Sequence, residues 1–256
     1  MDRTNRSPDS LSLIGHLDEL RSRILWCLGL ILAGTLLSLN FSKLIVDILK
    51  IPASKIITSY IVFQPTEIVS VYVKVAIACG IILASPAIFY HIWKFMKPVV
   101  PIGTRASVLY WTISGALLFI AGIVFMYLVA IPLAIGFLIR MVEGVATPMI
   151  TLNSYISLIL VLTISGGLVF EIPVISGLLT AAGIITPSVM RKKRKEAIFG
   201  FVVIAAVITP TTDVFNMLLF ALPMIVLYEM SIIVSSLIHK ARLQNKADEV
   251  YAIENQ

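Results

Sequence analysis

Six apolar stretches fill most of this chain, and each needs surroundings from which water is excluded. They cover residues 24–42, 75–93, 106–139, 152–182, 197–208 and 214–238. Lipid cannot hydrogen-bond to backbone N–H and C=O groups, so a chain inside a bilayer forms helices or a closed barrel. Continuous apolar runs without strict alternation favour helices. The sequence therefore predicts an all-α membrane protein with six transmembrane helices.

The composition excludes a soluble fold. Hydrophobic residues make up 59% of the 256 residues and charged residues only 13%, with a mean hydropathy of +0.99. So few charged side chains cannot cover the surface of a soluble protein of this length. The sequence also has no H-E-x-x-H, G-x-S-x-G or P-loop pattern. We therefore expect no enzyme activity, no cofactor and no metal site.

The basic residues are distributed unevenly between the two sides of the predicted helices. Fifteen of the 20 Lys and Arg residues lie in the amino-terminal segment, the second and fourth connections and the tail. By the positive-inside rule, these parts and both termini lie in the cytoplasm. The densest run, residues 191–195, is interpreted as the flank of a membrane span rather than a ligand-binding patch. Nucleic acid is not an expected partner.

The chain is predicted to divide into three parts. Residues 1–23 form a cytoplasmic amphipathic segment, residues 24–238 form one six-helix domain, and residues 239–256 form a cytoplasmic tail. The first external connection, at about residues 43–67, is long enough to make a cap over the bundle.

An amphipathic helix is predicted just before the first span. Leu17 and Leu20 share one helical face, whereas Asp18 and Arg21 lie on the opposite side. Such a helix lies on the cytoplasmic membrane surface and leads into the first span. Asp18 and Glu19 are carboxylates in an otherwise basic cytoplasmic face, so they are suited to bind arginine guanidinium groups.

Unusual span lengths are predicted at two places. Residues 197–208 make a helix of roughly 18 Å, whereas the hydrocarbon core is about 30 Å thick. We therefore expect short fifth and sixth helices and local thinning of the bilayer, unless a neighbouring helix covers the mismatch. Residues 106–139 would reach about 50 Å, so this helix projects beyond the bilayer or bends at Pro132.

Two carboxylates, Glu171 and Glu229, fall inside apolar runs. An acid at such a depth is expensive, so it usually faces the interior of a bundle or a watery cavity. Pro173 lacks an N–H and loosens the turn before it, which leaves room beside Glu171 for water or a partner's side chain. The alternative is a neutral Glu171 that is hydrogen-bonded within the bundle.

Five segments resemble, in order, the TatC family of receptor subunits of the twin-arginine protein translocase. They are HLDELRSR at 16–23, PTE at 65–67, SPAIFYHIWKFMKP at 85–98, FEIP at 170–173 and TP with DVF at 209–215. The resemblance implies a curved, glove-shaped bundle of six helices in the cell membrane. It also implies binding of twin-arginine signal peptides on folded cargo, assembly with single-span TatA and TatB subunits and with other TatC copies, and transport driven by the proton gradient.

The resemblance further implies a site on the cytoplasmic surface. Glu19 would receive the signal arginines, and Asp18, Arg21, Phe95 and Thr104 would belong to the same surface. Thr104 stands where many relatives have a second glutamate. Threonine cannot form the charge-assisted fork that a carboxylate forms with arginine. Asp18 or Glu196 is the hypothetical replacement.

Other roles are implied away from the cytoplasm. Glu171 would contact a partner helix in a polar cluster that includes Tyr127 and Asp213, while Pro65 and Glu67 would belong to the external cap. Helix capping alone would also explain the acidic residues Glu67 and Asp213.

Two other functions fit the residues less well. In a proton-coupled transporter of a small solute, Glu171 and Glu229 would titrate in a cavity lined by Pro-broken helices. The sequence contains no inverted repeat that would support it. The third possibility is a membrane scaffold without transport.

Overall fold

The computed structural model describes residues 8–57, 59–96, 105–145, 148–209 and 213–254, and these are almost entirely α-helical. The helices within these ranges are α1 (Pro8–Leu39), α2 (Ser42–Lys50), α3 (Thr66–Met96), α4 (Arg105–Phe125), α5 (Ile131–Val142), α6 (Leu152–Phe170), α7 (Ile172–Ala182), α8 (Pro187–Lys192), α9 (Arg194–Ile208) and α10 (Val214–Glu254). A 3₁₀ turn, Ile51–Ala53, follows α2, and a π-helical turn, Met126–Ala130, joins α4 to α5.

Five segments of the described ranges are long and apolar enough to cross a membrane. They are Asp18–Leu39, Thr66–Met96, Val108–Val142, Leu152–Ala182 and Val214–Gln244, and they coincide with five of the six predicted spans.

The fifth predicted span is α9, which is helical but only 15 residues long. Its length is about 22 Å at 1.5 Å per residue, which is shorter than the hydrocarbon core. The expectation of a short last helix is wrong, because α10 has 41 residues and also includes most of the predicted tail. The helix continues because residues 239–254 carry no glycine or proline that would end it.

The amino-terminal segment and the first span form one helix rather than two elements. α1 runs from Pro8 to Leu39 without a break at residues 23 and 24. The side chains of residues 8–14, 16 and 17 lie outside the described part of the chain, so the amphipathic face stays a prediction.

The predicted cap contains a helix and packs into the main core. Val46 of α2, together with Ala53 and Ile57, is buried there. A single parallel bridge fixes the far end of the cap, where the Ile61 N–H donates to the Ile150 carbonyl at 3.0 Å. In the same bridge the Leu152 N–H donates to the Ile61 carbonyl at 3.1 Å, so the cap is anchored at the start of α6.

Two helices are interrupted just before a proline. Pro132 is the second residue of α5 and follows the π-helical turn. Pro173 is the second residue of α7, and Glu171 separates α6 from α7. Proline has no N–H to donate to the preceding turn, so that turn departs from regular α-helix. An irregular turn thus precedes each proline, while a bend at Pro132, or projection of this helix beyond the bilayer, stays a prediction.

Glycines allow two helix pairs to approach closely. A Cβ on Gly80 of α3 would lie 2.4 Å from Thr35 Oγ1 and 2.8 Å from the Ile31 carbonyl oxygen of α1. A Cβ on Gly122 of α4 would lie 2.6 Å from the Gly166 carbonyl oxygen of α6. Small residues at such crossings let backbones pack tightly in lipid.

Candidate functional site

The seam between α1 and α3 carries the first candidate site, with Arg23 at its centre. Arg23 is nearly buried and forms an ion pair with Glu19 one helical turn before it. Its Nη1 donates to the His91 carbonyl at 2.8 Å, and its guanidinium carbon lies 5.9 Å from the centre of the Phe95 ring. Arg23 therefore ties α1 to α3 and places the Glu19 carboxylate near Phe95.

Glu19 is exposed where it meets Arg23. Its side chain has 43% of its surface accessible, and Asp18 and Arg21 beside it on α1 are also exposed. Arg23 thus contacts both Glu19 and Phe95, and a shared signal-peptide surface for these residues stays a prediction. The i,i+4 spacing of Glu19 and Arg23 predicts their pairing, whereas the contacts of Arg23 with α3 have no signal in the sequence.

The described part of the chain shows no contact of Thr104 or Glu196 with Glu19. Thr104 lies outside the described residues. Glu196 belongs to the start of α9 and accepts a hydrogen bond from Lys193 Nζ at 2.8 Å, which lowers the pKa of the Glu196 carboxyl. Replacement of the missing glutamate by Asp18 or Glu196 stays a prediction.

Glu171 forms the second candidate site, at the break between α6 and α7. Only 3% of its surface is accessible, and a Cβ on Gly115 of α4 would lie 3.3 Å from its Oε2. Its Oε1 has no hydrogen-bond partner among the described residues. A buried polar atom without a partner costs about 1–3 kcal/mol. The burial agrees with a side chain that faces the interior of the bundle, and the alternative of a neutral Glu171 hydrogen-bonded within the bundle stays a prediction.

Tyr127 contacts the cap instead of Glu171. Its hydroxyl donates to the Ile48 carbonyl at 2.7 Å, and the Tyr155 hydroxyl donates to the Leu49 carbonyl at 3.0 Å. Tyr127 is twelve residues after Gly115, which corresponds to about 18 Å along the helix. The two tyrosines fasten the carboxyl end of α2, so Tyr127 and Glu171 are not one polar cluster.

Asp213 and Glu67 both accept hydrogen bonds from nearby backbone N–H groups. Asp213 Oδ1 accepts from the Asn216 N–H at 2.7 Å, and its Oδ2 accepts from Asn216 Nδ2 at 2.9 Å. Glu67 Oε2 accepts from the Phe63 N–H at 3.4 Å. Pro65 is exposed just before α3 begins. Asp213 therefore caps the start of α10, as the capping alternative predicted, whereas Glu67 accepts from a residue that precedes α3 and does not cap that helix.

Glu229 does not lie unpaired in hydrocarbon. Arg194 Nη2 donates to Glu229 Oε2 at 2.6 Å, and the two side chains are 46% and 45% exposed. Glu229 is thus a paired acid within the candidate span Val214–Gln244, and its partner comes from the basic run at the start of α9. Within the described ranges, no group of three or more His, Cys, Asp or Glu side chains could hold a metal ion.

Several known proteins that share one name are similar in sequence to this chain over most of its length. The family model described as "Sec-independent protein translocase protein (TatC)" matches residues 15–223, which include Glu19 and Glu171. The Koribacter versatilis protein of that name is 36% identical over 250 residues, covering 95% of this chain and 92% of the relative.

Similar agreement is found with a second relative and with a solved structure. The Aquifex aeolicus TatC protein is 35% identical over 234 residues, covering 89% of this chain and 95% of the relative. A crystal structure of the twin-arginine translocase receptor TatC is 34% identical and superposes with a TM-score of 0.78. That match covers 87% of this chain and 99% of the other one.

Proposed function

Because the chain belongs to the TatC family of Sec-independent protein translocase proteins, we propose that it binds the twin-arginine signal peptides of folded proteins. Family membership makes it a multi-span membrane component of a protein translocase rather than an enzyme. The all-α membrane bundle predicted from the sequence is confirmed by the match to the receptor structure. The proposal rests on the exposed Glu19 carboxylate beside Phe95.

Glu19 has the chemistry that a pair of signal arginines requires. A carboxylate accepts two parallel N–H bonds from one guanidinium group, and such charge-assisted bonds are stronger than neutral ones. The Phe95 ring next to it can bind a cation through its face, as it does with Arg23. The apolar part of a signal peptide then lies against the helices in lipid, and many weak contacts add to the affinity.

Glu171 is the proposed contact for a single-span partner of the TatA or TatB type. Its Oε1 is buried without a hydrogen-bond partner in the described structure, so a polar group on a neighbouring helix would satisfy it. Partner binding, contacts with other copies of the chain, and use of the proton gradient all belong to this proposal. So does the orientation with both termini in the cytoplasm, which the distribution of basic residues supports.

The proposed function is tested by photocrosslinking in membranes. A photoreactive residue at Ser22, which is exposed one turn after Glu19, should capture a twin-arginine precursor. Glu19→Lys should abolish that product, because a lysine repels the signal arginines. Glu143→Lys makes the same charge change at an exposed position at the end of α5 and should leave the product intact.

A second photoreactive residue, at position 171, tests the partner site. It should capture a single-span subunit in both the unsubstituted chain and the Glu19→Lys variant. Unchanged precursor capture in Glu19→Lys would remove Glu19 from the signal site. The transporter alternative is not supported, because Glu229 is ion-paired and the relatives are protein translocase subunits.

A further inference from the structure

Lys74 lies farther inside a candidate span than the other basic residues of the described ranges. It is eight residues after Thr66, where the span Thr66–Met96 begins, which corresponds to about 12 Å along α3. Each of the other Lys and Arg residues within the candidate spans lies no more than five residues from a span end. Ionisable residues inside a span usually pair with another group or face a cavity, and they mark working sites. The position of Lys74 is therefore not that of a basic flank.

Two polar side chains of α6 hold the Lys74 ammonium group. Its Nζ donates to Asn153 Oδ1 at 2.8 Å and to Ser157 Oγ at 2.9 Å. We call Lys74, Asn153 and Ser157 the donor cluster. Both acceptors are neutral, and no carboxylate among the described residues forms an ion pair with Lys74. The positive charge of Lys74 thus has no counter-charge in the described structure.

Each member of the donor cluster has a hydrogen that no described residue accepts. An ammonium group has three N–H donors, and Lys74 uses two of them. Asn153 and Ser157 accept through their oxygens, so the amide N–H groups and the hydroxyl hydrogen remain to be donated, and no acceptor for them lies among the described residues. Ser231 and Thr180, by contrast, donate to the carbonyl four residues before them, as helical hydroxyls commonly do. The cluster therefore presents donors and one positive charge without an acceptor.

A carboxylate matches what the donor cluster lacks. Its single negative charge balances Lys74, and its two oxygens can accept from ammonium, amide and hydroxyl groups together. Hydrogen bonds between ionised groups are stronger than neutral ones, and they gain further strength where water is scarce. The ligand that this chemistry selects is an acidic group.

The surface beside the donor cluster is apolar and exposed. Ile77 follows Lys74 by one turn of α3, and Val161 follows Ser157 by one turn of α6, so each shares a helical face with its partner in the cluster. Such a surface packs against another membrane helix. Lipid phosphates are typically bound by several basic residues next to a span, whereas Lys74 is a single cation within one. The surroundings therefore favour an acid carried by a helix over a lipid headgroup.

We propose that the donor cluster binds an Asp or Glu side chain in the membrane helix of a partner subunit. This inference rests on the proposed assembly with single-span subunits, and it adds a contact of the opposite kind to the one at Glu171. At Glu171 the chain supplies an acceptor, whereas at the donor cluster it supplies a cation and hydrogen-bond donors. The acid of the partner would occupy the cluster while its apolar helix packs over Ile77 and Val161.

Photocrosslinking in membranes tests this proposal, with co-expressed single-span subunits as the probe. A photoreactive residue in place of Ile77 should capture such a subunit, and the captured peptide should contain Asp or Glu within about one turn of the crosslinked residue. Lys74→Met should lower the capture about tenfold, since a hydrogen bond to a charged group changes affinity by about this factor. Lys74→Arg keeps the charge and should retain most of the capture. Lys43→Met removes an exposed cation at the start of α2 and should leave the capture unchanged.

An exchange of charges separates recognition from folding. Lys74→Glu should lose the capture and regain it when the captured acid of the subunit is replaced by Lys, which a merely structural role of Lys74 would not produce. A loss that this exchange does not restore would overturn the proposal, and so would unchanged capture in Lys74→Met or a captured peptide without an acid.

The residue at position 171 distinguishes this inference from the proposed function. Capture of lipid alone from position 77, with a single-span subunit still captured from position 171, would overturn the donor cluster as a partner site and leave the proposed function standing. Absence of subunit capture from both positions in the otherwise unsubstituted chain would overturn the proposed partner binding together with this inference.

Discussion

Arg23 determines how the Glu19 carboxylate is presented. It contacts Glu19 on its own helix, and the His91 carbonyl and the Phe95 ring on α3. A planar guanidinium group can serve these contacts together, whereas an ammonium group cannot form the same fork. Arg23 therefore acts as a positioning residue for the proposed signal site.

Substitution of Arg23 should weaken signal-peptide binding through Glu19. Arg23→Gln should reduce the affinity for a twin-arginine peptide about tenfold, since a hydrogen bond to a charged group contributes about 1.5–3 kcal/mol. Arg23→Lys should show a smaller loss. In a Glu19→Gln background, Arg23→Gln should cause little further loss, because the group that it positions is gone. Losses that simply add would show that Arg23 only stabilises the fold.

The two acids in apolar runs show what sequence can and cannot predict at this scale. The buried position of Glu171 follows from local signals, namely an apolar run and Pro173 two residues later. The partner of Glu229 is Arg194, which is 35 residues away, so it depends on the register between α9 and α10. Hydropathy carries no information about that register. An ion pair between two helices, such as Arg194 with Glu229, therefore cannot be predicted from the sequence alone.

α1 and α3 meet at a glycine crossing that supports the signal site. Gly80 approaches Thr35 and the Ile31 carbonyl so closely that a methyl group cannot fit without a shift. Because Glu19 is on α1 and Phe95 is on α3, we expect a shift of the two helices at this crossing to change the separation of these residues. The sequence places both helices correctly, but it does not reveal which glycine lies at the crossing.

A Gly80→Ala substitution tests this crossing. It should lower the free energy of unfolding in detergent by about 1–3 kcal/mol, because the core must yield to the added methyl group. It should also weaken signal-peptide capture from position 22. Gly29→Ala is the matched control, since nothing lies within 4 Å of a Cβ at Gly29. Equal stability of the two variants would contradict tight packing at Gly80.

The cap shows how tertiary contacts decide an element that sequence treats as a loop. The predicted loop at residues 43–67 contains α2, whose last carbonyls accept from Tyr127 and Tyr155. Both donors lie more than 70 residues away in sequence. Tyr127→Phe should lower the free energy of unfolding by about 1 kcal/mol, measured by denaturant titration in detergent. No change in stability would show that this hydrogen bond is not needed to hold the cap.

For the whole molecule, the bilayer makes the sequence unusually informative. The positions of the long helices follow from apolar length alone, because lipid leaves the backbone few alternatives. Their mutual arrangement depends on glycine crossings and on isolated polar pairs, such as Thr180 with Ser235 at 2.6 Å. These pairs are invisible in a pattern of hydropathy. The fold class could therefore be predicted, whereas the assembly of the site could not.

The unpaired Oε1 of Glu171 leads us to expect that the lifetime of this subunit in cells depends on a bound partner. Without a partner subunit, the buried Oε1 of Glu171 has no hydrogen-bond donor in the described structure. A bound partner helix that donates a hydrogen bond to Oε1 would stabilise the folded chain. Pulse-chase labelling in cells that lack the single-span subunits should therefore show faster degradation of the chain. Cells would then contain little of this chain in the absence of its single-span partners.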